Sequence, residues 1–372
     1  MNEQENIDVI EEENNDFYSD DDLFKIQSWG ADLSFRELIS RYDDDELVKP
    51  ELQRNYVWDK SEASRFIDSI LLGLPIPSIF LAKTENEKLL IIDGYQRLMT
   101  VRDYVKGTFT KDSSLFRLSK IDKIHERWRG KSFLELSDED KRKIRNTTIH
   151  AIIFNQQHPT NDDTSLYQIF ERINSSGRTL LAQEIRNCVY QGPLNSLLIR
   201  LNENEKWRLL FGTARRDDRM RDMEYILRFF ALSSADILDE SKSPASISLK
   251  KHLNKFMGIH NKPQYIENFE SKFIRMVDFV YSKFGSSAFH NISQTTGNTL
   301  SGKFSPTIFD AISISTILAL ENPNLDINGN FQQRKLELLT SEGYQQALSQ
   351  ETMRTANIRL RVNRALSHIY RV

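Results

Sequence analysis

The apolar residues of this 372-residue chain change their spacing part-way along it, and that change limits what it can fold into. Up to about Asn155, short apolar runs rich in branched and aromatic residues alternate with helical stretches. Residues 78–83, 89–92 and 150–154 read as strands. The polar turn Thr84-Glu85-Asn86-Glu87 makes the first two a hairpin. A helix opens at Asp59, with Glu62 at capping-box spacing, and buries Ala63, Phe66, Ile67, Ile70 and Leu71 before Gly73 and Pro75 end it. Another spans 96–106, with Leu98, Val101 and Val105 on one face and Gly107 as its stop. Past Gln156 the spacing is helical almost throughout: 165–173, 182–190, 194–202, 222–232, 266–284, 305–320 and 357–370. Residues 286–303 are polar and rich in Gly and Ser, as a loop would be. The pattern is that of an α/β (or α+β) domain followed by a mostly α-helical domain. The expected divisions are a disordered acidic tail at 1–26, a mixed domain at 27–155 and a helical domain at 156–372, joined at Gln156-Gln157-His158-Pro159-Thr160-Asn161.

Composition narrows the setting. The apolar fraction of 39% supports a sizeable core. No apolar run reaches the ~18 residues of a membrane span, the longest being 311–320. The acidic start excludes an ordinary secretory signal, so the expected location is cytoplasmic, with no membrane partner. A single cysteine, Cys188, rules out an internal disulfide or a Cys-based zinc site, and it reads as a packed helical thiol. Residues 1–22 hold ten Asp or Glu and no Lys or Arg, which leaves 50 positive against 43 negative charges in the rest. A body of that charge can meet nucleic acid, although such a surplus is more often a solvated surface.

Three segments carry chemistry. The strand at 89–92 runs into Asp93-Gly94 and then directly into a helix. Such a unit aims backbone N–H groups and the positive end of the helix dipole at the space beyond the strand. Arg97 lies in the first helical turn, where a cation is unfavourable unless it faces an anion such as phosphate. Asp93 can hold a metal ion, a ribose hydroxyl or a water; equally, it can cap the helix and pair with Arg97. The second segment is Gln53-Arg54-Asn55-Tyr56-Val57-Trp58. It either offers polar groups and stacking faces to a nucleotide or uses its aromatics to anchor a loop. The third is the turn Asn174-Ser175-Ser176-Gly177, where Arg172, Asn174, Gly177 and Arg178 reach the same cleft or merely satisfy a turn between domains.

Taken in order, Gln53-Arg54-x-Tyr56-Val57-Trp58, then Ile67-Asp68-Ser69-Ile70-Leu71-x-Gly73-x-Pro75-Ile76-Pro77, then Asp93-Gly94-Tyr95-Gln96-Arg97-Leu98, resemble the GmrSD restriction-endonuclease N-terminal domain family. The stretch from Phe170 to Leu180, with Glu184-Ile185-Arg186-Asn187, resembles its later motif. The resemblance covers about residues 30–190. It implies a ParB/sulfiredoxin-like fold for the first domain, nucleoside-triphosphate binding and hydrolysis with Mg²⁺, and a role in bacterial defence against phage, with DNA and a nuclease or other defence protein as partners. Carried onto this chain, Asp93 and Arg97 become the catalytic candidates. Gln53, Arg54, Gly94, Tyr95, Gln96 and Arg97 become the nucleotide-binding candidates, and Arg172, Asn174, Gly177 and Arg178 the contacts from the later motif. Tyr95 stands where the family has Gln. No Walker loop is present, and none of the seven histidines sits in a His–Asn nuclease pattern, so no nuclease is expected in this chain. The C-terminal helix carries Arg354, Arg359, Arg361, Arg364 and Arg371, a basic set that can face DNA, a partner or water. Beside the enzyme stands a second reading, a ParB-like DNA- or protein-binding module without catalysis, and a third, an antitoxin-like or structural partner.

Overall fold

Local capping signals and a parallel–antiparallel sheet account for most of the first half of the chain. The computed structural model describes residues 7, 25–49, 56, 58–84, 87–158, 167, 171, 181–293 and 300–372. They fall into two compact units, the first within 19–180 and 184–189, the second within 1–18, 181–183 and 190–372.

The first unit holds a five-stranded sheet in the order β1-β7-β3-β4-β2. Strand β1 (Lys25–Ser34) lies antiparallel to β7 (Thr148–His158), with Ala31 opposite Ala151. Strand β3 (Ile79–Lys83) runs parallel to β7 and antiparallel to β4 (Leu89–Asp93), with Leu81 opposite Ile91, which is the expected hairpin. Strand β2 (Leu47–Val48) is short and parallel to β4, with Leu47 opposite Leu89. Because β2 and β4 run the same way, their carboxyl ends lie at one edge of the sheet.

Four helices flank this sheet. Ser34 caps α1 (Phe35–Asp43) by accepting from Glu37 N at 3.2 Å. Helix α2 (Lys60–Leu72) opens on a complete capping box, with Glu62 N donating to Asp59 Oδ1 at 2.8 Å and Asp59 N to Glu62 Oε2 at 2.9 Å, and ends on left-handed Gly73. Helix α3 (Tyr95–Lys106) ends on left-handed Gly107, and α4 (Asp138–Asn146) is capped by Ser137. Phe35, Ile67, Leu81, Ile91, Leu98 and Val101 form the centre of the core. Asp68 of α2, part of the family-like segment, accepts from Trp128 Nε1 at 2.6 Å and from His125 N at 3.1 Å. It thereby ties the excursion between α3 and α4, which contains the short strands β5 (Thr108–Phe109) and β6 (Ser114–Leu115), to the helical layer.

Helix α5 (Ala182–Val189) contributes its residues from Glu184 onward to the first unit. The second unit is built mainly of helices: α6 (Pro193–Leu201), α7 (Glu205–Phe211), α8 (Arg221–Leu232), α9 (Ala235–Leu238), α10 (Leu249–His260), α11 (Pro263–Phe284), α12 (Pro306–Leu320), α13 (Phe331–Thr340), α14 (Tyr344–Ser349) and α15 (Thr355–Ala365). Helix α12 is buried on almost every side. Its hydroxyls are tolerated there because Ser315 donates to Ala311 O and Thr316 to Ile312 O, each at 2.6 Å. Among the described residues no helix is long and apolar enough to cross a membrane.

Three expectations change here. Gln156, Gln157 and His158, read as the start of the linker, are the end of β7, where His158 is opposite Lys25 of β1. The segment 286–303, read as a loop, contains the hairpin β8 (His290–Ile292) and β9 (Leu300–Phe304). One residue anchors it: the Phe304 ring packs 4.7 Å from that of Tyr225 and 5.6 Å from that of Phe309. The C-terminal arginines do not form a free basic face. Arg361 is fully buried and donates to Ala347 O at 3.0 Å and Thr352 O at 2.9 Å. Arg359 donates to Ile237 O, Arg364 donates to Glu342 O, and Arg354 pairs with Glu351. Arg361, Arg359 and Arg364 thus bind carbonyls of other segments of their own unit, while Arg354 and Arg371 are exposed.

Candidate functional site

Strand β4 delivers Asp93 to the sheet edge, Gly94 turns the chain at φ +105°, and α3 begins at Tyr95. The first turn of α3 has no acidic residue and no side-chain cap. Asp93 therefore does not cap the helix, and the leading amides lack intrahelical acceptors. The positive end of the dipole is left uncompensated by any cap at this point.

Gly94 is demanded by packing. A Cβ built there would overlap Ile79 Cγ2 and lie 2.8 Å from Ile79 Cβ, in a backbone region that side chains rarely adopt. The space beside Gly94 holds the first residue of β3, not an opening for a ligand. Gly94→Ala should cost ~1–3 kcal/mol through overlap and positive φ. Ile79→Ala should cost less in the Gly94→Ala background than alone, because it removes the overlap. Urea denaturation of the three proteins checks this; a Gly94→Ala protein as stable as wild type would contradict the turn geometry.

Arg97 is engaged inside the fold. Its Nη1 donates to Pro77 O and Ser78 O, both at 2.8 Å, and its Nη2 pairs with Asp93 Oδ2. The guanidinium side chain is 13% exposed, against 41% for Asp93. Arg97 thus binds the loop before β3, the end of β4 and the start of α3 into one piece, and the Asp93 carboxylate is the half of the pair that meets solvent.

Tyr95 is buried between Tyr42, ring centroids 6.5 Å apart, and Lys49, whose ammonium sits 5.0 Å from the Tyr95 ring centroid. Burial, then Tyr42, raises its phenol above the ordinary range. The ring belongs to the core and shows no open face to a base. Gln96 Oε1 accepts from Trp58 N at 3.4 Å. Tyr56 shares a 2.6 Å hydrogen bond with Thr100 Oγ1 and meets the Phe109 ring edge-on, while Trp58 meets Phe66. The two aromatics act as loop anchors. The described residues on both sides of the Gln53-Arg54 segment, Lys49 before it and Tyr56 after it, rest on α3. Gln53, Arg54, Arg172, Asn174, Gly177 and Arg178 lie outside the described residues. Glu184, Ile185, Arg186 and Asn187 are all buried.

Lys49 is the residue that the sequence reading missed. It follows β2 directly, level with Ile91 of β4, and it is half-buried. Burial lowers its pKa, with the nearby Cys188 acting the other way. Cys188 is the buried helical thiol expected, pushed up to about 12 by burial and then by Glu184, so it stays neutral. Lys49 has no carboxylate partner among the described residues. The only sequence signal was a lysine immediately before Pro50, in a segment whose strand is too short to show a period.

Among the described residues no three His, Cys, Asp or Glu side chains gather as a metal site. Asp93 alone offers a partly exposed carboxylate at the turn. No curated protein matches the chain. Residues 35–191, from α1 to just past α5, match the model described as "GmrSD restriction endonuclease, N-terminal domain". The helices flanking the sheet, the Asp93 turn and the anchored aromatics of the first unit lie within the stretch that is similar to this N-terminal domain.

Proposed function

We propose that this protein binds, and hydrolyses, a nucleoside triphosphate at the Asp93 turn, as a sensor or regulator in a restriction-type bacterial defence system. The observation that carries the reading is the start of α3: a twelve-residue helix with no cap, opening beside a solvent-facing Asp93 at the carboxyl ends of the parallel strands β2 and β4. Ligands favour such strand ends, and helix N-termini favour phosphate. The restriction context follows from the family match. The same match makes DNA and a nuclease or other defence protein the proposed partners.

The residues fit Mg²⁺ in the way nucleotide sites commonly hold it, through one carboxylate plus substrate phosphates. Asp93 would be that carboxylate. The ion, when bound, would neutralise charge on the phosphates. Arg97 holds Asp93 in place, and Gln96 holds the Trp58 backbone, and with it the chain just after Gln53 and Arg54. Hydrolysis needs a water aligned with the terminal phosphate, and Asp93 is the described group able to hold it.

Phosphate release from ATP, GTP, CTP and UTP with Mg²⁺, with and without DNA, tests the proposal. Asp93→Asn keeps the shape and removes the charge, and it should slow release by at least about tenfold. Equal rates for Asp93→Asn and wild type would remove the catalytic reading. Nucleotide binding without turnover in the wild type would favour the binding-module alternative.

A further inference from the structure

Arg97 is the obvious cation at the turn, yet both of its terminal nitrogens are occupied by the fold. An anion at the start of α3 needs a different positive group. Lys49 is placed to supply one. Strand β2 pairs in parallel with β4 through Leu47–Leu89 and Val48–Leu90, so the next residue, Lys49, falls level with Ile91, two residues before Asp93. Its ammonium lies 5.0 Å from the ring centroid of Tyr95, the first residue of α3. That ring, buried against Tyr42, is a fixed platform that keeps the lysine stem from wandering.

Among the described residues no carboxylate pairs with Lys49, although Asp43, Asp45, Asp93 and Asp103 all lie on elements of the same unit. Asp43 pairs with Arg102 and Lys106, Asp45 with Lys88, Asp93 with Arg97, and Asp103 accepts from Thr110. The Cys188 thiol beside Lys49 is neutral. A half-buried ammonium beside a ring and a neutral thiol, with no carboxylate paired to it among the described residues, is costly unless an anion joins it.

We propose that Lys49, and not Arg97, is the residue that contacts ligand phosphate, with Arg97 serving as the positioning residue that sets Asp93 and the turn. This deepens the nucleotide-site reading and rests on it. The ligand group recognised is the oligophosphate chain, independent of the base, since Tyr95 has no free face for stacking. A lysine is a compact charge with rotatable donors, suited to a phosphate whose exact pose varies.

The test is isothermal titration of the full chain with inorganic tripolyphosphate, ATP and GTP, with and without Mg²⁺, together with melts of the free proteins. Lys49→Met keeps the apolar stem on Tyr95 and removes the charge. Lys49→Arg keeps the charge. Expected are a melting temperature for Lys49→Met equal to or above wild type, affinity for tripolyphosphate about tenfold to a hundredfold weaker, and near-wild-type affinity for Lys49→Arg. Loss of binding should be the same for tripolyphosphate and for both nucleotides. Unchanged tripolyphosphate affinity in Lys49→Met, with binding intact in the wild type, overturns the role of Lys49 and leaves the nucleotide site standing. A clearly lower melting temperature for free Lys49→Met shows that the ammonium serves the fold and also overturns it. Failure of the wild type to bind any of the three ligands overturns the nucleotide site itself, and Lys49 with it.

Discussion

Arg97→Ala should destabilise the free protein by ~2–4 kcal/mol, a larger effect than its position on a helix surface suggests. A cation in the first turn of α3 opposes the helix dipole by only ~0.3–1 kcal/mol. Against that stand two carbonyl bonds and the pairing with Asp93, each a charge-assisted contact in a side chain that is largely covered. Truncation leaves Pro77 O, Ser78 O and Asp93 without their common donor. Part of the loss returns through water, since Asp93 is already partly exposed. Arg97→Lys should recover less than half, because an ammonium cannot bridge two carbonyls and a carboxylate with the geometry of a guanidinium. Hydrogen exchange locates the effect: the alanine variant should exchange faster in 79–83 and 89–98 while 221–232 is unchanged. An unchanged melt combined with lost nucleotide affinity would return Arg97 to the ligand and displace Lys49.

Some elements with an amphipathic period or a strong cap were legible in the sequence, although α1 and α4, capped by Ser34 and Ser137, were not read from it. The capping box at Asp59 and Glu62, the stops at Gly73 and Gly107, and the hairpin of β3 and β4 all stand where periodicity puts them. Strand β1 was not legible because it is the edge of the sheet, with Gln27, Ser28 and Trp29 exposed, so no alternation marks it. Strand β2 is two residues long and owes its existence to pairing with β4. The helices α7, α10 and α13 were missed for a related reason. Their charged and amide residues dilute the apolar period, and packing rather than propensity holds them.

The candidate site divides along the same line. The strand–turn–helix at Asp93 is local, so its shape could be read from five consecutive residues. What each side chain touches could not. Arg97 finds carbonyls twenty and nineteen residues earlier, Gly94 meets Ile79, and Tyr95 meets Tyr42 and Lys49. The Asp93–Arg97 pair is itself local, but the carbonyls that cover Arg97 are not, and the anchoring of Tyr56 and Trp58 rests on Thr100, Phe109 and Phe66.

The largest effect is expected in the second unit, at Arg228. Its Nε donates to Asp310 Oδ1 at 2.7 Å and its Nη2 to Asp310 Oδ2 at 2.6 Å, a bidentate pair linking α8 to α12 with both partners almost fully buried. Arg361 lies close enough to feel both charges: burial lowers its pKa to about 10, Asp310 raises it and Arg228 lowers it. Arg228→Ala should cost ~3–5 kcal/mol, because it strands the Asp310 carboxylate inside the helical layer. Arg361 limits the loss, since its charge interacts favourably with that of Asp310. Asp310→Ala should be at least as damaging, since it leaves the buried Arg228 and Arg361 charges, which disfavour each other, without the carboxylate that offsets them. The double replacement Arg228→Met with Asp310→Leu should cost less than either alanine variant, because the desolvation of both charges disappears along with their attraction. Urea denaturation followed by hydrogen exchange in 221–232 and 306–320 separates these cases. If the double variant were the least stable of the three, the pair would be contributing net attraction beyond its desolvation cost, and α8 and α12 would depend on that ion pair for their cohesion rather than on the apolar side chains around it.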